Sequence, residues 1–290
     1  MCVKNREKEI EKALRSVRKQ KGVKEIIVID GNSTDRTVEI ARKYTDKVYS
    51  DEGRGLAYAR QLGAELAEGE YIAYIDSDTE LPRDDLLVRM VREMEEKGWV
   101  GIHAQLVDPR RKKTLWEECE NIHWQERFNH PGERRYLGTI VCVVKRNVIL
   151  ETRFDPFMKY AAEDTEFWHR VGRKYKFGVS REVAYHYHRT TFREFLKQRI
   201  WYGKGNARAL VKHRSPVLLL SPIAVIGYGI FKVFKCRGRA KCILYYTIWG
   251  IALAYGTITG LMELLIETLK KRLFGKKFFS EDDKENNRSD

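Results

Sequence analysis

The chain has 290 residues, a formal net charge of +14 at pH 7 and an isoelectric point of about 9.5. Its 33% charged and 43% hydrophobic residues exclude an intrinsically disordered protein. The mean hydropathy of −0.52 argues against a polytopic membrane protein, although one or two apolar segments remain compatible with it. The positive excess indicates an acidic partner, namely nucleic acid, a phosphorylated substrate or anionic lipid.

The cysteines are few and scattered. They are Cys2, Cys119, Cys142, Cys236 and Cys242. Their odd number and the lack of a C-x-x-C pair predict neither a zinc knuckle nor a disulfide framework, and they favour a reducing compartment. The charged residues 4–7 predict that no signal peptide opens the chain.

The first part of the chain alternates between helix and strand patterns. Apolar residues at helical spacing predict a helix over residues 10–17. The apolar run at residues 25–29 is too short for a helix and predicts a buried strand, which ends in the turn-forming residues 30–35. Further helices are predicted at 37–44 and 55–66, and further strands at 47–50 and 71–75. Strands that alternate with single helices imply parallel pairing in an α/β sheet.

The pattern continues to about residue 190. We predict an inserted helix and loop at 108–136, a strand at 137–144, a short helix at 163–173 and a last strand at 177–186. In parallel α/β sheets, ligands bind at the carboxyl ends of the strands. Asp30 and Asp76 both fall at such ends.

From residue 191 the composition changes. Residues 191–214 have apolar positions at helical spacing with Arg and Lys between them, which predicts a basic amphipathic juxtamembrane helix. The alternative is a helix packed on the preceding domain. Two apolar segments follow and favour the membrane, so we predict a helical hairpin over residues 215–269. Residues 270–290 are then a basic and finally acidic tail, disordered at its end.

The topology of this hairpin is not settled by charge. Residues 243–266 are long enough to span a bilayer, whereas residues 217–231 are marginal and contain Pro222. The basic turn between them (residues 232–241) would lie opposite the catalytic domain in a two-span arrangement, against the positive-inside tendency. A hairpin that dips into one leaflet, or packing against another membrane subunit, avoids this conflict. The length of the second segment favours spanning.

Two carboxylates follow the strand at residues 71–75. Asp76 and Asp78 stand at an i, i+2 spacing, which lets carboxylate oxygens hold a hard divalent cation. Such a cation can bridge a diphosphate and offset the charge on a departing nucleotide. The alternative is a solvated aspartate turn before the next helix.

Four motifs, in order, resemble those of family 2 glycosyltransferases. The run EIIVIDGNSTDRTVEIARKY is similar to the V-D-D-G-S-x-D-x-T turn of that family. The run GRGLAYARQLGAELAEGEYIAYIDSD resembles its G-x-A-x-A-R-N-x-G element followed by a strand and D-x-D. The pair Glu163-Asp164 falls where the family carries an acidic catalytic pair. The resemblance covers residues 1 to about 205.

The resemblance implies a GT-A nucleotide-sugar-binding domain over residues 1–190, with a mainly parallel sheet. Asp30 would contact the base of the donor, with Asn32 in the same binding turn. Arg60 would lie near the base or the phosphates. Asp76 would contact the ribose or metal-bound water, and Asp78 would bind Mg²⁺ or Mn²⁺.

The resemblance also implies the catalytic residues. Asp164, with Glu163 beside it, would be the general base that takes the acceptor's proton in an inverting transfer; the alternative for both is favourable charge at a helix start. His188 would lie near the metal or diphosphate. Arg199 is assigned from its place in the basic helix rather than from the resemblance: it would meet the phosphates or a lipid headgroup, or else lie on a solvated basic face.

The sequence therefore predicts a membrane-associated inverting glycosyltransferase with a cytoplasmic catalytic domain. The donor is a nucleotide sugar, and the acceptor is a polyprenyl phosphate, a lipid-linked glycan or a polysaccharide. The alternatives are a metal-dependent nucleotidyltransferase, for which residues 53–55 are a poor phosphate loop, and a non-catalytic membrane scaffold, which does not explain the motif order. Nearly all of the positive excess lies in residues 191–280, which favours anionic lipid over nucleic acid as the acidic partner.

One departure from the family pattern concerns the first strand. Family members begin with a full strand such as V-S-V-V-I-P-x-Y-N, whereas this sequence begins Met1-Cys2-Val3-Lys4-Asn5. We expect either a very short first strand or a natural start upstream.

Overall fold

The computed structural model describes residues 1–235 and 241–274. The middle of the predicted basic turn, with Cys236, lies outside the described residues, and so does the predicted tail from residue 275 onward.

A parallel three-stranded sheet forms the amino-terminal part of the fold, in the order β1-β2-β3. Its strands are β1 (Cys2–Val3), β2 (Val28–Asp30) and β3 (Val48–Ser50), and its helices are α1 (Ile10–Arg18) and α2 (Thr37–Ala41). β1 has only two residues and pairs Cys2 with Ile29. The parallel pairing predicted from the strand and helix alternation is confirmed for this sheet.

A second, six-stranded sheet continues the domain, in the order β4-β8-β6-β9-β5, with β7 beside β9. The strands are β4 (Tyr71–Ile75), β5 (Thr79–Glu80), β6 (Gly101–Val107), β7 (Gly132–Glu133), β8 (Val141–Lys145) and β9 (Gly178–His186). β6 and β9 pair in parallel, whereas β8 is antiparallel to both β4 and β6. β8 lies between strands that precede it in the chain and runs back against them, so this sheet is mixed.

Five helices belong to this sheet and its insertion. They are α3 (Leu56–Leu66), α4 (Leu86–Glu96), α5 (Leu115–Arg127), α6 (Arg146–Thr152) and α7 (Glu163–Val171). The sequence prediction placed a helix after the aspartate turn, where α4 lies, without giving its bounds, and it missed α6, β5, β6 and β7. The signal for α4 was present, because Leu86, Met90 and Met94 are fully buried and stand four residues apart. α5 begins with a capping box in which Thr114 and Glu117 satisfy each other's backbone N–H groups.

The hydrophobic core has two main clusters that together fix the sheet. One contains Phe154, Phe167 and Trp168, and the other contains Met90 and Met94 of α4. Burying each such side chain contributes about 1.5–3 kcal/mol to stability. Packing is so close that a Cβ at Gly101 would lie 2.2 Å from Trp168. Because these core contacts stabilise the sheet, polar residues can occupy the ends of its strands.

The carboxy-terminal helices pack on this domain. They are α8 (Phe192–His213), α9 (Ser221–Lys235) and α10 (Lys241–Phe274), with a 3-10 turn at Pro216–Leu220 between the first two. By length and composition, residues Lys241–Lys270 of α10 could cross a membrane. α8 runs along α10, and a Cβ at Gly203 would lie 2.4 Å from the carbonyl oxygen of Leu253. The glycine therefore permits direct backbone contact between the two helices.

Candidate active site

A buried arginine joins two of the predicted motifs. Arg60, on α3, is 5% exposed and forms an ion pair with Glu163 at the start of α7. The Arg60 guanidinium also lies 3.8 Å from the Asp76 carboxylate and donates to the carbonyl oxygen of Thr139 at 3.4 Å. The ends of β4 and α7, which are far apart in sequence, therefore meet at Arg60.

Asp78 lies beside this cluster with basic partners of its own. Its Oδ2 is 3.0 Å from Arg189 Nη2, and its Oδ1 is 3.6 Å from His186 Nε2. Burial favours the neutral acid, but the charges of His186, Arg189 and Arg6 together outweigh burial and lower the pKa of Asp78. Asp78 is therefore held as a carboxylate, the form that binds a cation.

The donor atoms around Asp78 fit a Mg²⁺ or Mn²⁺ ion that is shared with a substrate. His186 Nδ1 is buried and has no hydrogen-bond partner among the described residues. Over residues 1–235 and 241–274, no three His, Cys, Asp or Glu side chains converge as a complete metal site. Mg²⁺ is commonly bound by one or two carboxylates plus substrate phosphates and water, so a two-donor site is compatible with that chemistry. Asp76 faces Arg60 instead.

The two acidic residues at the start of α7 have different environments. Glu163 is 3% exposed; burial raises its pKa, the neighbouring Asp164 adds to this rise, and the paired Arg60 guanidinium opposes it by favouring the carboxylate. Asp164 is half-buried, and its Oδ1 accepts a hydrogen bond from Thr165 N at 2.6 Å. Of this pair, Asp164 is the carboxylate that an acceptor can reach.

The loop before α7 is packed between two glycines. A Cβ at Gly55, which has φ +99°, would lie 2.9 Å from the carbonyl oxygen of Lys159. On the other side, a Cβ at Gly205 of α8 would lie 2.2 Å from the carbonyl oxygen of Ala161. Ala162 has φ +69°, in the left-handed region, just before Glu163. The position of the acidic pair therefore depends on α3 and on α8, which the sequence did not indicate.

The turn after β2 offers an unused acceptor. Asp30 is buried, and its Oδ2 accepts a hydrogen bond from Ser33 N at 2.9 Å. Its Oδ1 is also buried, with no partner in the part of the chain that the structure describes. Asn32, with φ +59°, accepts a hydrogen bond from Ser50 at 3.1 Å. An N–H group of a ligand could pair with Asp30 Oδ1.

His188 and Arg199 lie apart from the other predicted site residues. His188 is buried behind His186, with ring centroids 4.8 Å apart. Arg199 is 1% exposed, pairs with Glu120 of α5 and lies 3.9 Å from the ring centroid of Trp249. Its contacts join α5, α8 and α10, so it is neither on a solvated face nor beside Asp78.

A cavity that the sequence did not reveal opens near the site. Its volume is about 480 Å³. The lining includes three arginines and three aromatic residues: Arg127, Arg134, Arg135, Trp124, Phe128 and Tyr136. The cavity also reaches Gly138, next to the Thr139 carbonyl that binds Arg60. The R-R-Y run at 134–136 was the feature of the sequence that could have indicated this basic and aromatic cavity.

His103, on β6 beside this cavity, makes stability depend on pH. Burial lowers its pKa to about 4, against about 6.5 in an unfolded chain. Between these values the unfolded state binds more protons, so stability falls as pH falls. From His103 we expect a loss of about 2 kcal/mol between pH 7 and pH 5 in urea unfolding. The variant His103→Asn should lose this part of the slope, and an unchanged slope would contradict the assignment.

Comparison with known proteins decides the family. The family model described as Glycosyl transferase family 2 matches residues 1–154, more than half of the chain. The chain belongs to glycosyl transferase family 2. The predicted family is therefore confirmed, and residues 1–154 form the matched glycosyltransferase region.

Two curated relatives illustrate the range of the match. A 4,4'-diaponeurosporenoate glycosyltransferase from Staphylococcus haemolyticus is 33% identical over 105 residues, 34% of this chain. The chain spans only 28% of that relative's length. The Haloferax volcanii glycosyltransferase AglE is 25% identical over 224 residues, 72% of each protein.

A solved structure shows the same fold. Mannosyltransferase PcManGT from Pyrobaculum calidifontis, in complex with GDP-Man and Mn²⁺, superposes with a TM-score of 0.61 at 16% identity. The match covers 90% of this chain and 86% of that one. The predicted GT-A fold class, with an apolar helix at the carboxy-terminal end, is thereby confirmed.

Proposed function

We propose that this family 2 protein transfers a sugar from a nucleotide-sugar donor to an acceptor with inversion at the anomeric carbon. The observation that carries the proposal is the convergence at Arg60. Asp76 of the D-x-D motif and Glu163 of the acidic pair share this one buried guanidinium, and Asp164 stands open beside them. An inverting transfer needs a donor site and a carboxylate near each other.

The donor would bind along the strand ends. Asp30 Oδ1 is the acceptor for an N–H of the base, and Asn32 shapes the same turn. Asp76 would contact the ribose. Arg60 supports the site from beneath by balancing the charges of Asp76 and Glu163, since its guanidinium is already engaged by both.

Asp78 and His186 would hold a divalent cation, Mg²⁺ or Mn²⁺, which would offset the negative charge of the donor's diphosphate. Arg189, which neutralises Asp78 without the cation, is within reach of the same diphosphate and would add positive charge there. His188 would act through His186, because it packs against that ring.

The acceptor would enter from the cavity lined by Arg127, Arg134 and Arg135. Its basic and aromatic walls suit an amphipathic acceptor that carries negative charge, such as a polyprenyl phosphate or a lipid-linked glycan. Arg127 also lies 5.8 Å from the ring centroid of Tyr228, on the apolar helix α9. This proximity supports transfer at the cytoplasmic face of a membrane, with 1–190 as the catalytic domain and 191–269 as its membrane-associated part.

The proposal is tested by a panel of nucleotide sugars assayed for metal-dependent hydrolysis or transfer. We expect one donor to be turned over and EDTA to abolish the reaction. Asp78→Ala should lower kcat/KM by about 10²–10³-fold, because a preorganised charge at the diphosphate is lost. The matched control is Asp84→Asn, an exposed carboxylate on the loop before α4. Full activity of Asp78→Ala would exclude the metal assignment, and no binding of any nucleotide sugar would exclude the function.

A further inference from the structure

Among residues 1–235 and 241–274, nothing covers one face of the long helix α10. Leu244, Ile251, Ile258 and Leu265 recur every seven residues, and each is between 53% and 62% exposed. Seven residues are close to two helical turns, so these side chains form one stripe along the helix. Tyr255, Met262 and Leu269 widen this stripe, which we call the outer face.

The opposite face of α10 is fastened to the catalytic domain near both of its ends. At its start, Lys241 pairs with Glu118 of α5, and Cys242 Sγ lies 3.5 Å from Cys119 Sγ. Much further along, Glu263 accepts a hydrogen bond from Tyr160 Oη at 2.9 Å. Tyr160 belongs to the loop that leads into the acidic pair.

Between these two points α10 follows α8 without a gap. A Cβ at Gly256 would lie 2.1 Å from the carbonyl oxygen of Ile200. Beyond it, Arg208 of α8 pairs with Glu267 at 2.8 Å. α8 is itself fixed to the domain, because Gly205 packs on Ala161. The helix is thus attached along its length rather than at one end.

This attachment is incompatible with a helix that crosses a bilayer beside the domain. From Lys241 to Glu263 an α-helix rises about 33 Å, and the hydrocarbon core is about 30 Å thick. A perpendicular α10 would place these residues on opposite sides of the membrane, yet both bond to the same catalytic domain. The sequence favoured a membrane-spanning helix because the length and hydropathy of a segment carry no information about the contacts that its side chains make.

We propose that α10 lies in the plane of an anionic membrane, with its outer face among the acyl chains and the catalytic domain resting on the headgroups. This orientation makes the membrane association in the proposed function more specific. It rests on the proposed function only for the location of the protein at a membrane. The helix is then an interfacial element of the kind that binds by apolar burial together with electrostatic attraction.

The charge of the chain selects anionic lipid as the occupant of this face. Residues 191–280 carry a net charge of +14, as large as that of the whole chain. Arg214, which follows α8, and Lys270 and Arg272, near the end of α10, are exposed. Each Lys or Arg near an anionic surface adds attraction to it. A second copy of the chain would bring the same positive charges together, which disfavours a dimer through this face.

The orientation is tested with four single-cysteine variants at the outer face, Leu244→Cys, Ile251→Cys, Ile258→Cys and Leu265→Cys. Cys2 and Cys236 are first replaced by Ser, whereas Cys119, Cys142 and Cys242 are buried and remain. Each variant carries a fluorophore and is bound to vesicles of phosphatidylcholine and phosphatidylglycerol. Quenching by lipids labelled at defined depths then reports position. We expect one shallow depth for all four. Depths that change by about 10 Å from one site to the next would overturn the proposal in favour of spanning.

Vesicle binding tests the apolar contact separately. We expect Ile251→Asp with Ile258→Asp to lower the partition onto these vesicles about 100-fold or more, because two apolar side chains are lost from the acyl region. Val88→Asp, an exposed apolar position on α4, should leave it unchanged. Labels shielded from lipid in a concentration-dependent dimer would also overturn the proposal. Nucleotide-sugar binding is measured in parallel, so its failure would count against the function alone.

Discussion

Asp164→Asn should lower the turnover number for a hydroxyl acceptor by about 10²–10⁴-fold. Asp164 is the reachable carboxylate at the start of α7, and asparagine keeps its shape but cannot take a proton. Because the lost interaction exists only in the transition state, kcat and kcat/KM should fall together, with the donor KM unchanged. Initial rates over a range of donor and acceptor concentrations measure kcat and the donor KM.

The acceptor class changes the size of this effect. A phosphate monoester has its second pKa near 6, so a polyprenyl phosphate is already ionised at pH 7 and needs no base. We expect the loss in Asp164→Asn to shrink below about tenfold with that acceptor. Comparison of the two acceptors therefore identifies which kind of oxygen attacks.

Glu163 and Asp84 provide the controls for this experiment. Glu163→Gln removes the buried partner of Arg60, so it should reduce stability as well as activity, unlike Asp164→Asn. Asp84→Asn changes an exposed carboxylate outside the site and should leave turnover unchanged. Wild-type turnover of Asp164→Asn with a hydroxyl acceptor would remove Asp164 from the role of base.

Arg199→Met should lower the free energy of unfolding by about 3–5 kcal/mol, because Glu120, whose side chain is 12% exposed, would be left without a cationic partner. Arg199 is 1% exposed, and Tyr245 of α10 donates a hydrogen bond to the same Glu120. The pair therefore ties α5 and α8 to α10. Urea unfolding of the purified chain measures the loss, and the donor KM should change less than about threefold.

A double variant separates the two roles predicted for Arg199. Arg199→Met combined with Glu120→Gln leaves no unpaired charge and should recover more than half of the lost stability. Arg199→Lys keeps the charge but not the planar guanidinium, so its free energy of unfolding should lie between those of Arg199→Met and the wild type. Wild-type stability of Arg199→Met with a donor KM raised more than tenfold would instead establish a phosphate contact.

The strand that carries the D-x-D motif shows what could be predicted. Residues 71–75 were assigned as a buried strand, and β4 has the same bounds, because an apolar run followed by turn residues is a local signal. The family motifs also pointed to Asp76, Asp78, Glu163 and Asp164. The structure brings Asp76 and Glu163 to the same guanidinium, whereas the roles of all four stay predictions. By contrast, β6 lies in the middle of the second sheet and was missed, although Gly98 and Asp108-Pro109 flank it, because His103 and Gln105 interrupt its apolar pattern.

Arg60 and Arg199 show where such prediction ends. Arg60 was expected near the donor's base or phosphates, and Arg199 near phosphates, near a lipid headgroup or on a solvated basic face. Both guanidinium groups are instead buried and paired with carboxylates far away in sequence, Glu163 and Glu120. A buried charge needs a partner, but the chain does not say which one, because the pairing forms only when separate helices meet. The same holds for Gly205, whose contact with Ala161 positions the catalytic loop.

The basic charge and the apolar carboxy-terminal segments were visible in the amino-acid sequence alone, as were the family and the order of its acidic motifs. These depend on composition and short-range pattern. Only the tertiary structure decided that α10 is fastened to the domain from Lys241 to Glu263. Hydropathy measures how apolar a helix is, whereas its direction relative to a membrane depends on the contacts that its other face makes.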